Sequence, residues 1–336
     1  MPIYVYQGNK QISTNAIRNN KVVKVIYVKE QGQDAVCVWG ADFTSSLFAY
    51  TIQNNSVTIT GLNPNYQVSE NLSIPNAIKG KQVTSIGGNA FSGCSSLARI
   101  TIPDSVTSIG YSAFSGCDKL TSIYYAGDVA SWCGIIGLGN LMVYGLSSKT
   151  LYIGGNKVEE LIIPDSVTSI SSGAFYGCAG LTSVIIPNSV TDIGYSAFRD
   201  CTGLTSVTIP NSLTRINNNV FYNCTGLTSI TIGNGVTIIS DSVFGNCTGL
   251  TSVTIPNSVT GIGTAAFENC TGLMSATIGK GVKSIGSKVF SGCSNLTSIT
   301  FNGTKAQWNA ISKGTGWNTN TGNYTIHCTD GDIPKS

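Results

Sequence analysis

Apolar and polar residues alternate in short stretches that recur along most of the chain at a fixed distance. In one stretch Leu204, Val207 and Ile209 are apolar, which is the L-x-x-L-x-L spacing of a strand that points alternate side chains inward. Pro210 follows and ends the strand because it has no N–H to donate. A unit of this kind cannot bury its apolar edge alone, so the pattern predicts a stack of units, a repeat solenoid.

The recurring unit is 23 residues long and reads Leu-Thr-Ser-Val-Thr-Ile-Pro-Asn-Ser-Val-Thr-x-Ile-Gly-x-x-Ala-Phe-x-x-Cys-x-x. After the strand, we expect Gly194 to let the chain bend and residues 197–201 to form a helical or 3-10 turn, with Phe198 filling the core. Ten strands are predicted, centred on Leu72, Ile100, Ile123, Leu161, Val184, Val207, Ile230, Val253, Ala276 and Ile299. The longest step between centres, from 123 to 161, predicts an insertion.

Eight of the eleven cysteines occupy one position of the unit, three residues before a leucine. They are Cys94, Cys117, Cys178, Cys201, Cys224, Cys247, Cys270 and Cys293. Beside Phe and Leu this position predicts small buried free thiols, and a straight row of thiols gives a metal ion no convergent ligands. Cys37, Cys133 and Cys328 lie outside the row, and the sequence leaves open whether they are exposed.

Two segments share a second pattern, in which a tryptophan follows a glycine by five residues. The tryptophans are Trp132 and Trp308, and Asp128 and Thr304 stand before them as helix N-cap residues. We expect a strand, a short helix that buries its Trp, and a second strand in each segment. The later copy would close the open apolar end of the solenoid, as terminal caps do in repeat proteins.

The stretch Ile-Pro-Asp-Ser-Val-Thr-Ser-Ile-Gly-Tyr-Ser-Ala-Phe-Ser-Gly-Cys at 102–117 resembles the repeat of BspA-type leucine-rich-repeat surface proteins. The resemblance covers residues 72–300. It implies a right-handed, curved, β-rich solenoid with short 3-10 or helical turns, capped at both ends. It also implies an adhesin that binds a protein or glycan, without naming the ligand.

Five segments are predicted along the chain. They are a small β appendage at 1–50, an N-terminal cap with the first repeats at 51–120, a cap-like insertion at 121–160, a second repeat block at 161–300 and a C-terminal cap at 301–336. The appendage has strand-like alternation and a turn at 31–34. The N-terminal cap is expected to contain a hairpin around Asn54 and Asn55.

The charge balance excludes several classes of partner. The chain has 19 basic and 16 acidic residues, a net charge of +3, without the clustered basic face of a nucleic-acid-binding protein. No apolar run approaches the ~20 residues of a membrane-spanning helix. Only 10% of the residues are charged, below the roughly 25% of an average soluble protein. This composition suits an extracellular or cell-surface protein, and we expect a monomer.

Few side chains are suited to catalysis, so no enzyme activity and no cofactor are expected. His327 is the only histidine, which disfavours catalysis that depends on that side chain. Glu159 and Glu160 are the only adjacent carboxylates, and they do not form the pair that glycoside hydrolysis needs across a cleft. Cys133 follows Trp132 like half of a redox motif, but no second cysteine stands at the required distance.

The outward positions of the strands are the remaining candidates for function. Two residues of each strand point to the concave face, and in the distal half they are serine and threonine, whose cross-strand pairs favour a sheet. Larger side chains replace them in the proximal half, and binding hot spots favour Arg, Tyr and Trp. The candidate partner-binding residues are Arg99, Tyr124, Trp132, Glu160, Ile162 and Ile185.

Two functions are consistent with these features. The first is a non-catalytic adhesion protein on a cell surface, binding a protein or glycan. Residues 1–4 do not begin a secretion signal, so a leader would have been removed or export would follow another route. The alternative is a receptor-binding or spacer protein of a phage virion, with residues 1–50 as its attachment segment.

Overall fold

The computed structural model describes residues 5–7, 10–12, 27–28, 36–37, 47–64, 70–145 and 148–335. The first four segments are two antiparallel strand pairs, β1 (Val5–Gln7) with β2 (Lys10–Ile12) and β3 (Tyr27–Val28) with β4 (Val36–Cys37). The turn predicted at 31–34 lies outside the described residues. The extent of the appendage therefore stays a prediction.

An antiparallel hairpin precedes the repeats. It consists of β5 (Phe48–Gln53) and β6 (Ser56–Leu62), joined through Asn54 and Asn55 at φ 47° and 65°. Both asparagines are left-handed, as a two-residue hairpin turn requires, so the predicted hairpin is confirmed. Phe48 is buried in the core, and β5 crosses the predicted segment boundary at residue 50.

The main sheet of the solenoid is parallel, and the chain makes about 11 turns with little helix. Its strands are β7 (Asn71–Ser73), β10 (Arg99–Ile102), β12 (Ser122–Tyr125), β13 (Thr150–Ile153), β15 (Glu160–Ile162), β17 (Ser183–Ile185), β19 (Ser206–Ile209), β21 (Ser229–Ile232), β23 (Ser252–Ile255), β25 (Ser275–Ile278), β27 (Ser298–Phe301) and β29 (Thr325–Cys328). Equivalent residues align from turn to turn, as in the pairing of Val207 with Ile230. We call this stack the first sheet, although its pairing is interrupted between β13 and β15 and between β21 and β23.

A second stack of short strands follows the return path of each turn. Its members are β8 (Ala77–Ile78), β9 (Lys81–Ile86), β11 (Ser108–Ile109), β16 (Ser169–Ile170), β18 (Asp192–Ile193), β20 (Arg215–Ile216), β22 (Ile238–Ile239), β24 (Gly261–Ile262), β26 (Ser284–Ile285) and β28 (Ser312–Lys313). Except for β8, which forms a hairpin with β9, the pairing between turns is parallel. The sequence indicated a return path here but not a sheet.

The segment predicted to be helical or 3-10 is a chain of tight turns. The Cys201 amide donates to the Phe198 carbonyl at 3.3 Å, which is the i to i−3 bonding of a 3-10 turn. Ser196 and Asp200 have φ values of 56° and 60°, and such left-handed residues prevent continuation into a helix. Gly194 is required for packing rather than bending, since an added Cβ would lie 2.4 Å from the backbone nitrogen of Ser172.

Buried phenylalanines stack along the axis of the second repeat block. The ring centroids of Phe198 and Phe221 are 5.5 Å apart, and those of Phe221 and Phe244 are 5.6 Å apart. Trp317 ends the row with an edge-on contact to Phe290 at 6.3 Å. Each ring thus packs on the rings of neighbouring turns, which links the turns energetically.

The insertion and the C-terminal cap share one order of elements. The helices are α1 (Val129–Gly134) and α2 (Gly139–Met142) in the insertion and α3 (Lys305–Asn309) in the cap. In the insertion, β13 stacks parallel on β12 and then turns back into β14 (Asn156–Lys157); in the cap, β29 stacks on β27 and turns back into β30 (Gly331–Pro334). Asp128 and Thr304 close capping boxes, so both predicted N-caps are confirmed.

Candidate binding face

The outward side chains of β10, β12, β13, β15 and β17 form what we call the proximal face. Its centre is an aromatic stack, in which the rings of Tyr124 and Tyr152 lie 4.2 Å apart and nearly parallel. These tyrosines occupy the same position on adjacent strands. The guanidinium of Arg99 lies 5.0 Å from the Tyr124 ring centroid, within the range of a cation–π contact. Three large side chains are thereby held in one arrangement on the sheet surface.

Charged side chains border this stack. Lys157 stands opposite Tyr152 in the hairpin between β13 and β14 and pairs with Glu159. Hydrogen bonding to Glu159 raises the pKa of Lys157 above its ordinary value. Glu160 begins β15 and is exposed. The stack is therefore bordered by charges of both signs, and the face has no single sign of charge.

Two exposed isoleucines complete the proximal face. Ile162 and Ile185 occupy the same position on adjacent strands, and their exposed fractions are 64% and 59%. Both expose apolar surface, whereas Thr208 and Thr231 occupy the same strand position farther along the same sheet. These strands belong to the sheet that follows the one carrying the aromatic stack, so the isoleucines form a second, apolar part of the candidate surface.

Trp132 does not belong to this face, so its assignment as a partner-contacting residue is wrong. The side chain is fully buried, and its Nε1 donates to the Ala174 carbonyl at 3.0 Å. The ring also packs on Tyr125, with centroids 5.2 Å apart. Helix α1 turns the indole inward because a large apolar ring gains more from burial than from exposure. Trp132 joins the insertion to the second repeat block.

A family model for the BspA type leucine-rich repeat region matches the chain in six copies, over residues 64–132, 148–274 and 214–334. The chain belongs to the BspA-type leucine-rich repeat family. The unmatched residues 133–147 include helix α2 of the insertion, so the repeat pattern stops where the insertion departs from it.

Solved structures with the same kind of fold come from several bacteria. A leucine-rich repeat protein from Eubacterium ventriosum is 18% identical, with coverage of 83% of this chain and 95% of that protein, at a TM-score of 0.50. A leucine-rich cell surface protein from Faecalibacterium prausnitzii is 24% identical, covering 79% and 96%, at a TM-score of 0.34. At these identities the likeness concerns the fold alone. No curated protein matches the chain.

The cysteines outside the repeat row and the single histidine are the side chains of this BspA-type chain that could be reactive. Cys133 is buried, which raises the pKa of its thiol to about 12, so the exposure left open by the sequence is excluded for this residue. Cys328 is half-buried, and the side chain of Cys37 lies outside the described residues. His327 contacts Asp332 at 2.9 Å as a cross-strand pair of the terminal hairpin.

Metal sites and membrane-spanning helices are both absent from the described residues. No group of three or more His, Cys, Asp or Glu side chains there is placed to hold a metal ion. Within the same residues, none of the helices has the length and apolar character needed to cross a membrane.

Tyr152 of the proximal face and the bordering Lys157 were missed in the sequence. A signal for Tyr152 was present, because the second strand expected in the insertion aligns with β12 and places Tyr152 beside Tyr124. The insertion obscured it, since its length breaks the 23-residue count used to align the other strands.

Proposed function

We propose that this BspA-type chain is a non-catalytic adhesion module that acts outside the cell and binds a protein or glycan partner through the proximal face. The observation that carries the proposal is the Arg99–Tyr124–Tyr152 stack, a preformed cluster of large side chains at strand positions that are serine or threonine in the distal turns. Arg and Tyr are enriched at binding hot spots because they supply large contact area with polar ends.

Membership in the family supports the adhesion role, since a leucine-rich solenoid offers an extended surface for interaction. The name of the Faecalibacterium prausnitzii protein, a cell surface protein, is consistent with a location outside the cell. The role as a virion protein stays a prediction without a supporting observation. We also propose the predicted division of the chain into five segments and a monomeric state.

Arg99, Tyr124, Glu160, Ile162 and Ile185 are proposed to contact the partner directly. Because the two tyrosines and Arg99 already pack on one another, little side-chain freedom is lost when a partner docks. The exposed isoleucines would supply the apolar part of the interface.

To test the proposal, beads coated with the purified chain are applied to an array of extracellular-matrix proteins and cell-surface glycans. We expect retention on at least one array member above that of beads coated with an unrelated protein of similar charge. Absence of retention on every member would contradict the adhesion role.

A further inference from the structure

The first sheet is interrupted at one place within the second repeat block. Strand β21 pairs with β19 and β23 pairs with β25, but β21 and β23 end separate sheets. On the opposite side of the same two turns, β22 and β24 remain paired, with Ile239 opposite Ile262. The two turns are therefore paired along the second stack, whereas along the first their strands remain neighbours without forming a hydrogen-bonded ladder. We call this interruption the β21–β23 opening.

Backbone hydrogen bonds locate the interruption. The Thr228 amide donates to the Thr205 carbonyl at 2.9 Å, and the Met274 amide donates to the Thr251 carbonyl at 2.9 Å. Among the described residues, the equivalent bond from the Thr251 amide to the Thr228 carbonyl is absent. Only the Thr251 hydroxyl reaches that carbonyl, at 3.5 Å. The edges of β21 and β23 thus retain backbone donors and acceptors.

A buried hydroxyl without a partner lies at the same place. In earlier turns of the same block the equivalent serine donates across the turn, Ser189 to the Val167 carbonyl at 2.9 Å and Ser212 to the Val190 carbonyl at 2.5 Å. The Ser258 hydroxyl is buried and makes no such bond. An unsatisfied buried hydroxyl is costly, and this one lines the opening.

The lining of the opening is uncharged and combines polar with apolar groups. It forms a solvent-open pocket of about 650 Å³, within the roughly 300–1,000 Å³ of small-molecule sites. Amide and hydroxyl side chains supply most of the polar groups, and Ile230 and Pro256 supply apolar surface. The polar residues that line the opening are Thr231, Asn234, Thr254, Asn257, Ser258 and Asn302.

We propose that the β21–β23 opening binds a short neutral oligosaccharide. Sugar hydroxyls both donate and accept hydrogen bonds, as do the amides, hydroxyls and unpaired strand edges that surround the cavity. Among the described residues, no Lys, Arg, Asp or Glu lines it, so a charged ligand would lose its hydration without a countercharge. The site is separate from the proximal face, goes beyond the proposed function, and neither depends on the other.

The test uses the full chain with maltotriose, cellotriose, mannotriose and N-acetylchitotriose, each measured by saturation-transfer NMR and titration calorimetry. At least one trisaccharide should bind. Its affinity should fall at least tenfold in the double variant Thr231→Ala with Thr254→Ala. The matched control, Thr208→Ala with Thr277→Ala, changes the same strand position on turns outside the opening and should bind as the unaltered chain does.

Ser258 provides a second measurement that separates binding from packing. Ser258→Ala should weaken trisaccharide binding and leave the Tm unchanged or higher, because an unpartnered hydroxyl is removed. Ser212→Ala should lower the Tm, because it loses a formed hydrogen bond, and should leave binding unchanged.

Failure of all four trisaccharides to bind, or equal binding by both double variants, would overturn the proposal. So would trisaccharide binding that is unaffected by Ser258→Ala. If the unaltered chain is still retained on the protein and glycan array when trisaccharide is saturating, the proximal face is a functioning site. The two proposals can therefore fail separately.

Discussion

The Sγ of Cys224 donates a hydrogen bond to the backbone carbonyl of Phe198, 3.2 Å away in the preceding turn. Cys247 makes the same bond to Phe221 at 3.2 Å. The repeated cysteine is therefore a small buried side chain that also satisfies a carbonyl of the neighbouring turn. Both roles need the protonated thiol, which argues against disulfide or metal chemistry in this row.

Thiol labelling should follow burial. In the native chain Cys94 and Cys328, which are half-buried, should react with an alkylating reagent before the buried thiols. Cys133 and the repeat cysteines from Cys117 to Cys293 should react only after denaturation, because a buried thiol neither ionises nor meets the reagent. Peptide mapping by mass spectrometry with two isotopic labels provides the measurement. Rapid native labelling of Cys224 would contradict the account.

Stability should decline steeply in alkali. Burial raises the pKa of Cys178 and Cys247 from the ordinary 9.0 to about 12. Below pH 9 these thiols are protonated in both states, whereas between pH 9 and 12 only the unfolded chain loses the proton. Each thiol then lowers the free energy of unfolding by about 1.4 kcal/mol per pH unit.

Urea unfolding at several values between pH 8 and 10.5 measures this loss. Cys247→Ala should reduce the number of protons released on unfolding by about one. Ser206→Ala, at an exposed position, should leave proton release unchanged. A free energy of unfolding that stays constant over this range would show that the thiols titrate normally in the folded chain.

Phe198→Ala should lower the free energy of unfolding by about 3–5 kcal/mol, as for other buried aromatic residues. The ring is fully buried and stacks on Phe175 at 5.2 Å and on Phe221 at 5.5 Å. Thr208→Ala, on the exposed side of the same turn, should stay within about 0.5 kcal/mol of the unaltered chain. Chemical denaturation followed by circular dichroism gives both values, and similar losses for the two variants would be inconsistent with a stacked core.

Trp132→Phe should lower the free energy of unfolding by about 1–3 kcal/mol more than Trp308→Phe. Both indoles are buried, but only the Trp132 Nε1 has a hydrogen-bond acceptor among the described residues, the Ala174 carbonyl. Losing that donor leaves a buried carbonyl unsatisfied. Equal losses in the two variants, measured by urea unfolding, would show that the bond between insertion and repeat block contributes nothing.

The repeating core could be predicted from the sequence because each turn needs the same inward residues at the same spacing. Leu204, Val207, Phe198 and Cys201 are all buried as expected. The second stack was missed because strands such as β18 contain two residues, too few for alternation to be recognised. The left-handed turns were missed because the position of Asp200 is glycine in only some turns, such as Gly116 and Gly177, and Asp or Asn in others.

The two candidate sites differ in how much of each can be predicted from the sequence. Tyr124 stands out because it replaces serine and threonine, so part of the proximal face could be chosen from the pattern. The β21–β23 opening has no such signal, since Thr231 and Thr254 repeat the residue type of the closed turns. Ser258 is the same residue type as Ser189 and Ser212, so the sequence does not show that its hydroxyl lacks an acceptor.

Binding by a proximal-face variant tests the central claim most directly. The variant carries Arg99→Ala, Tyr124→Ala and Ile185→Ala, and the matched control carries Ser206→Ala, Thr208→Ala and Ser229→Ala on the distal part of the same sheet. Affinity for the array member retained by the unaltered chain is measured by biolayer interferometry, after equal Tm values confirm that both variants fold.

The proximal variant should lose at least about 30-fold in affinity, the effect of one hot-spot residue of about 2 kcal/mol. The control should remain within about twofold of the unaltered chain. Unchanged affinity in the proximal variant, or an equal loss in the control, would contradict the assignment of binding to the face around Tyr124.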